Sequence, residues 1–215
     1  LTVTSGNGVL SNDTDADDSS SISVSAISGG TVGQAKNGTY GVLTLNANGS
    51  YAYVANGRSE DGLAAGATAT DAFTYTVSDG AGTTDTATLT ITVTGVGPGA
   101  VNDTGAVNED ATLTVNAANG VVGNDDDNSS YDSESLAVTA IRAGAESGSG
   151  TAGSIGSALT GTYGQLTIAA DGSYSYVANQ DTTDTLDAGD TVTDTFTYTV
   201  KDDSDKNADT AELVI

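Results

Sequence analysis

The chain has 215 residues and a formal net charge of −24, from 29 acidic residues against 5 basic ones. This excess of acid excludes a general nucleic-acid binder, whose footprint is a basic patch, and argues against binding to anionic membrane surfaces. The sequence has no Cys and no His, so it excludes disulfides and imidazole bases and disfavours zinc and copper sites. No apolar run approaches transmembrane length, and we expect no direct membrane insertion.

The first acidic stretch, SNDTDADDSS at residues 11–20, gathers carboxylates at Asp13, Asp15, Asp17 and Asp18. Like charges this close repel, so solvent, a protein cation or a metal ion has to compensate them. Of the 29 acidic residues 24 are Asp and 5 are Glu. Asp is short and compatible with turns, which suits it to loops and to rigid oxygen cages.

The segments that follow alternate apolar and polar residues with a period of two. Phe73, Tyr75 and Val77 alternate with Thr, and residues 43–45, 51–53 and 87–93 continue this pattern. Such alternation of β-branched and aromatic residues predicts half-buried antiparallel strands. Asn48-Gly49 lies between two of these segments and indicates a tight β-hairpin.

The chain contains an internal repeat. Residues 38–56, GTYGVLTLNANGSYAYVAN, match residues 161–179 at 14 of 19 positions, and residues 1–13 resemble residues 113–125. The first repeat spans 1–97 and lacks its first strand, whereas the second spans 98–215 and has an 11-residue insertion between 125 and 161. The single proline, Pro98, and its flanking glycines mark the boundary. We expect both termini to be cuts within a longer array of such repeats.

The pattern predicts an all-β fold of two tandem immunoglobulin-like antiparallel β-sandwiches with Greek-key topology, because about seven short strands in about 100 residues is typical of that architecture. In the second repeat we expect strands near 101–107, 112–117, 135–142, 163–169, 173–178, 193–200 and 208–215. The Tyr and Phe residues of the alternating segments are expected in the core. The alternative is an exposed aromatic face that binds sugars.

Strands in this order would bring several acidic loops to one end of each sandwich, where two modules meet. The opening stretch is not an EF-hand, because Asp18 replaces the required Gly and Val24 the required Glu. We therefore predict a Ca²⁺ site shared among loops, with oxygen ligands from Asn12, Asp13, Asp15, Asp17, Glu60, Asp61, Asn102, Asp103, Asn124, Asp125, Asp127 and Asp202. The alternative is a solvated acidic surface. The recurrence of N-D-x-D at 12–15 and 124–127 favours a metal.

Several of these stretches together resemble a known family. They are GTYGVLTLNANGSYAYVAN, TDAFTYTVSDGAG, NEDATLTV and GVVGNDDD. They resemble the VCBS-type, cadherin-like repeats of giant bacterial surface adhesins of the RTX and biofilm-associated type. The resemblance implies tandem cadherin-like sandwiches in secreted or surface-anchored proteins of adhesion and biofilm formation. It also implies calcium ligation at the linkers between repeats, at Asn102, Asp103, Asn124, Asp125 and Asp127 and at Asn12, Asp13 and Asp15.

We consider three alternative functions for a chain with these features. The first is a Ca²⁺-rigidified spacer whose partners are neighbouring repeats of the same chain. The second is a binding module for a cell-surface or matrix glycan or protein, acting through tyrosines, the insertion or an edge strand. The third is an enzyme, which the lack of His and the polar surroundings of the acidic residues disfavour, so we expect none.

Overall fold

The computed structural model describes residues 1–15, 21–55, 63–127, 135–179, 186–187, 189–202 and 207–215. The chain forms two compact units, Leu1–Gly95 (unit 1) and Val96–Ile215 (unit 2). Both consist mainly of β-strands, so the predicted all-β fold is confirmed. Short 3₁₀ helices lie at Ser5–Asn7 and Ala117–Asn119. None of the helices within the described ranges is long and apolar enough to cross a membrane.

Unit 1 contains seven described strands in two sheets. The strands are β1 (Thr2–Val3), β2 (Ser23–Ile27), β3 (Ala35–Asn37), β4 (Gly41–Leu45), β5 (Tyr51–Ala55), β6 (Thr68–Ser78) and β7 (Thr84–Thr94). One sheet has the order β1-β5-β4-β3 and the other the order β2-β6-β7. Every pairing between these strands is antiparallel.

Unit 2 contains nine described strands in two sheets. They are β8 (Asp103–Thr104), β9 (Thr112–Val115), β10 (Ala137–Ala143), β11 (Ala152–Gly153), β12 (Leu159–Thr160), β13 (Gln165–Ile168), β14 (Tyr174–Val177), β15 (Thr195–Lys201) and β16 (Ala208–Val214). The orders are β11-β10-β15-β16-β8 and β12-β13-β14-β9. All pairings are antiparallel except β8 with β16, which is parallel. Both β8 and β16 start from the same end of the unit. There the Asn207 side chain donates a hydrogen bond to the Val96 carbonyl, and the Ala100 amide donates to the Asp209 carboxylate.

The aromatic residues of the repeated segments form the core of each unit. Tyr53, Phe73 and Tyr75 are 3–6% exposed, and Tyr176, Phe196 and Tyr198 are 1–2% exposed. Tyr53 meets Phe73 edge to face at 6.3 Å between ring centres, and Tyr176 meets Phe196 at 6.2 Å. The predicted core role of these six side chains is confirmed, whereas Tyr51 is only partly buried against the core of unit 1.

The added residues of unit 2 extend the connection after β10. Ile27 and Ile141 pair with equivalent tyrosines, Tyr75 and Tyr198, at an offset of 114 residues. The offset reaches 123 at Gly161, so nine of the eleven added residues lie between Ile141 and Gly161. They contain β11, which pairs with β10 at Ile141 and Arg142. The sequence pattern did not predict this strand, because Gly and Ser obscure a two-residue strand.

Two loops meet at one end of each unit. In unit 1 the Asn48-Gly49 hairpin packs on the turn after Ser5–Asn7, where the Val9 amide donates to the Gly49 carbonyl at 2.9 Å. In unit 2 the Val121 amide donates to the Gly172 carbonyl at 3.1 Å. Gly49 and Gly172 have φ values of 83° and 81°, which favour glycine. This packing fixes the loops that carry Asp13 and Asp125.

Candidate functional site

The chain enters unit 2 through an extended segment, Gly99–Thr104, which we call the linker strand. Gly99 and Asp126 exchange two backbone hydrogen bonds, of 2.7 and 3.1 Å. The Ala100 amide donates to Asp209 Oδ2 at 2.9 Å, and the Val101 amide donates to Asp125 Oδ1 at 2.7 Å. The acidic loop after the 3₁₀ helix therefore binds the backbone of the entering chain.

Oxygen atoms converge on the hydroxyl group of Tyr198. Its oxygen lies 2.8 Å from the Val101 carbonyl, 2.9 Å from Asp103 Oδ2, 3.1 Å from the Val121 carbonyl and 3.5 Å from Asp125 Oδ1. A phenol has one proton to donate. It cannot satisfy two carboxylates and two carbonyls at once, so this cluster holds more acceptors than donors.

Burial changes the ionisation of the two carboxylates. It raises the pKa of Asp125 to about 6, to which the charge of Asp103 adds, while the Val101 amide opposes the shift. Burial also raises the pKa of Asp103, despite hydrogen bonds from Tyr198 and Asn124. Burial and the two carboxylates together raise the pKa of Tyr198. A cation at this position would remove the repulsion between the carboxylates.

The fit of a hard cation to this cluster can be judged from its atoms. Asp125 Oδ2 is buried without a hydrogen-bond partner, and so is Asp13 Oδ2 in unit 1. Carboxylate and carbonyl oxygens are the ligands that Ca²⁺ prefers. Within the described ranges no three acidic side chains gather as a metal cluster, so backbone carbonyls and waters would have to complete the shell. The donor set fits Ca²⁺ on these terms.

The other predicted ligands of unit 2 lie around this cluster. Asn124 hydrogen-bonds to Asp103. The Asn102 side-chain oxygen accepts from the Glu212 amide at 2.8 Å, which ties the linker strand to β16. Asp127 is half-buried in the loop after Asp125, and Asp202 is buried at the end of β15. The structure therefore brings Asp103, Asn124 and Asp125 closest together.

The predicted ligands of unit 1 are described in part. Asn12, Asp13 and Asp15 line a cavity of about 470 Å³ beside the start of β7. The hydroxyl of Tyr75, the counterpart of Tyr198, donates to the Val9 carbonyl at 3.2 Å. Burial and the charge of Asp13 raise the pKa of Tyr75. Asp17, Glu60 and Asp61 lie outside the described residues.

Each unit also contains one buried Asp with a structural role, which the sequence analysis did not identify: Asp71 in unit 1 and Asp194 in unit 2. Asp194 is 4% exposed, and it accepts from the Thr162 amide at 2.7 Å, the Tyr163 amide at 2.9 Å and the Tyr176 hydroxyl at 2.6 Å. Asp71 is bonded in the same way in unit 1. Burial raises the pKa of Asp71, but hydrogen bonds from Tyr53 and the nearby amides outweigh it and leave the pKa lowered. The sequence feature that could have revealed this role is an Asp at an inward-facing position of a segment that alternates apolar and polar residues.

In comparisons with known proteins, the chain matches one family model and is remotely similar to several solved structures. A family model described as the bacterial cadherin-like domain matches residues 1–95 and again residues 96–215. The search of curated proteins found no significant match. Three solved structures are similar: a protocadherin GammaB4 extracellular domain, an endo-fucoidan hydrolase of glycoside hydrolase family 107, and Drosophila N-cadherin EC1-4.

These structures are distant from the chain. The identities are 13%, 18% and 10%, and the TM-scores are 0.33, 0.26 and 0.24. The similarity covers 84%, 92% and 100% of this chain, but only 26%, 23% and 70% of the respective structures. The chain thus spans about a quarter of the first two proteins. The assignment of the chain to a family therefore rests on the family model.

Proposed function

The chain belongs to the bacterial cadherin-like domain family and carries two such domains, and from that premise we propose that it is a calcium-stiffened spacer of a large bacterial adhesin. Domains of this family are extracellular adhesive or structural modules rather than enzymes. We propose that the parent protein is secreted or anchored at the bacterial surface. It would be an adhesin of the VCBS or RTX type that supports biofilm formation.

In this proposal Asp103 and Asp125 hold the cation in unit 2, assisted by the Val101 and Val121 carbonyls and by Asn124. The observation that supports it most directly is Asp125 Oδ2, which is buried without a hydrogen-bond partner. A second carboxylate, that of Asp103, lies close enough for its charge to raise the pKa of Asp125. Such an oxygen is costly unless a proton or a cation compensates it. Asp13, with Asn12 and Asp15, is the equivalent candidate in unit 1.

A bound Ca²⁺ would neutralise charge and join two separate parts of unit 2. Asp103 and Val101 belong to the linker strand, whereas Asp125 and Val121 belong to the loop after the 3₁₀ helix. An ion held by both parts would fasten the entering chain to the sandwich. Extracellular calcium modules bind at about 10⁻⁴–10⁻³ M, so calcium levels outside the cell would keep this connection closed.

The test is a thermal melt of the chain in EDTA and in 10 mM Ca²⁺, with 10 mM Mg²⁺ for comparison. With a dissociation constant near 10⁻⁴ M, Ca²⁺ would contribute about 2.7 kcal/mol, which corresponds to a rise in Tm on the order of 10 °C. Mg²⁺ should have a much smaller effect, because it keeps its waters and is seldom held by protein ligands alone.

Two variants separate the site from general charge effects. Asp125→Asn should remove most of the calcium response of unit 2. Asp171→Asn is the matched control, because it also removes one negative charge at this end and recreates the Asn-Gly hairpin of unit 1. Equal melting in all three buffers, or an unchanged response in Asp125→Asn, would contradict the proposal.

A further inference from the structure

The first and last strands of unit 2, β8 and β16, lie side by side and point the same way. Just before the linker strand, the Asn207 side chain at the start of β16 donates to the Val96 carbonyl at 3.0 Å. At the far end of β16, the Gly105 amide donates to the Val214 carbonyl at 2.8 Å. A force that pulls the two ends of unit 2 apart therefore slides these strands past each other.

Side chains extend this contact beyond the two residues of β8. The Ala100 amide donates to Asp209 Oδ2 at 2.9 Å, and the Glu212 amide donates to the Asn102 side-chain oxygen at 2.8 Å. Each strand thus supplies one backbone donor and one side-chain acceptor. Because the bonds are spread along both strands and lie across the direction of pulling, sliding loads them together rather than one after another.

The added residues of unit 2 hold β16 from another side. Residues 144–150, which we call the insertion loop, cross a row of the sheet in which Arg142 pairs with Thr197 and Thr197 with Glu212. The Arg142 guanidinium donates to the Glu146 carbonyl at 2.8 Å. The Thr197 hydroxyl donates to the Gly144 carbonyl at 2.8 Å, and the Glu146 amide donates to Glu212 Oε1 at 2.6 Å. The loop therefore contacts β10, β15 and β16 in one row.

Burial shows that the insertion loop is docked on the outer face of this sheet. Thr197 lies between Phe196 and Tyr198, whose side chains are in the core, so its own side chain points to the outer face. Thr197 is nonetheless only 4% exposed, whereas its counterpart in unit 1, Thr74, is exposed. The same row ends at the Glu212 amide, which binds the linker strand. The loop thus supports the part of β16 to which the linker strand is attached.

We propose that unit 2 resists pulling along the chain, because the linker strand and β16 form a shear clamp that the insertion loop braces through Glu212. The clamp consists of hydrogen bonds within the chain and needs no metal. It therefore goes beyond the proposed function and is tested in EDTA. Forced unfolding is governed by the barrier to unfolding, so the experiments measure forces and rates.

The direction of pulling provides the first test. The chain has no Cys, so introduced cysteines define where the force is applied. Val96→Cys with a cysteine added after Ile215 loads the two strands in shear. Val96→Cys with Ala208→Cys, both at exposed positions, pulls at the adjacent starts of the strands and peels them apart. In single-molecule measurements the first rupture force should be at least about twofold higher in shear. Equal forces would overturn the proposal.

Two variants each remove one bond of the clamp. Asp209→Ala leaves the Ala100 amide without its acceptor, and Asn102→Ala does the same to the Glu212 amide. Each should raise the unfolding rate at constant force in shear about fivefold, which corresponds to a hydrogen bond of about 1 kcal/mol. Tyr176→Phe is the control, because its hydroxyl binds within the core and contacts neither strand of the clamp. It should lower the stability in urea by a similar amount but change the forced unfolding rate much less.

The brace has its own matched pair of variants. Glu212→Ala removes the carboxylate that binds the insertion loop but keeps the amide that binds Asn102, so it should also raise the rate in shear about fivefold. Glu109→Ala removes the same charge at an exposed position and should leave the rate unchanged. Equal rates for these two would show that the loop does not brace the clamp. Equal effects of Asp209→Ala and Tyr176→Phe would show that the clamp is not the barrier. Neither result bears on the calcium proposal, since every measurement is made in EDTA.

Discussion

At the scale of single residues, the two repeats use aspartate for two different purposes. Asp71 and Asp194 are buried and surrounded by hydrogen-bond donors, whereas Asp125 keeps a buried oxygen without one. Asp71 lies on the same buried face of β6 as Phe73 and Tyr75, and this position in the sequence pattern could have indicated its structural role. The position of Asp125 could not be deduced in the same way, because its burial depends on the linker strand and Tyr198, which are distant in sequence.

The carboxylate of Asp194 should be essential to the stability of unit 2. Asp194→Asn replaces an acceptor by an amide donor facing the Tyr163 and Gly164 amides, and we expect it to cost about 2–4 kcal/mol in urea unfolding. Tyr176→Phe removes one donor only and should cost about 1–2 kcal/mol. Asp110→Asn, at an exposed position with φ of 61°, should be near neutral. If Asp194→Asn were as stable as this control, the structural role would be wrong.

The pKa of Asp125 gives unit 2 a characteristic dependence on pH in EDTA. The folded-state value of about 6 lies above the ordinary value of 3.8, so the folded state holds the proton more tightly. The associated stability is complete below about pH 4 and is lost as the pH rises through 6. The Tm of the parent chain should therefore fall relative to that of Asp125→Asn across this range.

Calcium should reverse that trend. Binding requires the deprotonated carboxylate, so calcium affinity should increase as the pH rises through 6. Calorimetric titrations at pH 5 and pH 7 measure this directly. An affinity that is equal at both pH values would show that Asp125 is not a ligand.

At the scale of elements, the close packing of the turn after Ser5–Asn7 on the Asn48-Gly49 hairpin determines where Asp13 lies. A Cβ on Gly8 would be 2.1 Å from the Gly49 carbonyl oxygen, whereas a Cβ on Gly6 would meet nothing within 4 Å. Gly120 occupies the same contact in unit 2, while Ala118 replaces Gly6 there. The difference between the repeats thus follows the steric requirement.

Two alanine substitutions test this contact with a matched pair in one turn. Gly8→Ala should destabilise unit 1 by about 2 kcal/mol or more, because backbone must move to admit the methyl group. Gly6→Ala should be neutral or stabilising by up to about 1 kcal/mol, because it only reduces the freedom of the unfolded chain. Chemical unfolding of both variants measures the difference, and equal effects would contradict the packing argument.

Sequence patterns predicted the elements unevenly. Residues 193–200 and 208–215 alternate clearly and form β15 and β16, and Asn48-Gly49 forms a hairpin as predicted. The parallel pairing of β8 with β16 was missed, since two residues carry no period and their partner is about 110 positions away. Periodicity reports which face is buried, but it does not report which edge a short strand joins.

At the scale of the whole molecule, the net charge of −24 offers two explanations for any calcium effect. Divalent ions can stabilise an acidic protein by screening its self-repulsion, or by occupying a specific site. Screening depends on ionic strength, and the Debye length falls from about 30 Å at 0.01 M to about 3 Å at 1 M salt. A bound ion depends on its own concentration and on particular ligands.

A salt titration separates these explanations. In EDTA, raising NaCl from 0.01 M to 1 M should increase the Tm, because the repulsion among 29 acidic residues is screened. At 1 M NaCl, millimolar Ca²⁺ should still raise the Tm of the parent chain and of Asp171→Asn, but not that of the unit 2 transition in Asp125→Asn. If the calcium increment vanished at high salt in every variant, the acidic loops would be a solvated surface. A persistent increment would instead identify a site whose ligands are held by the fold.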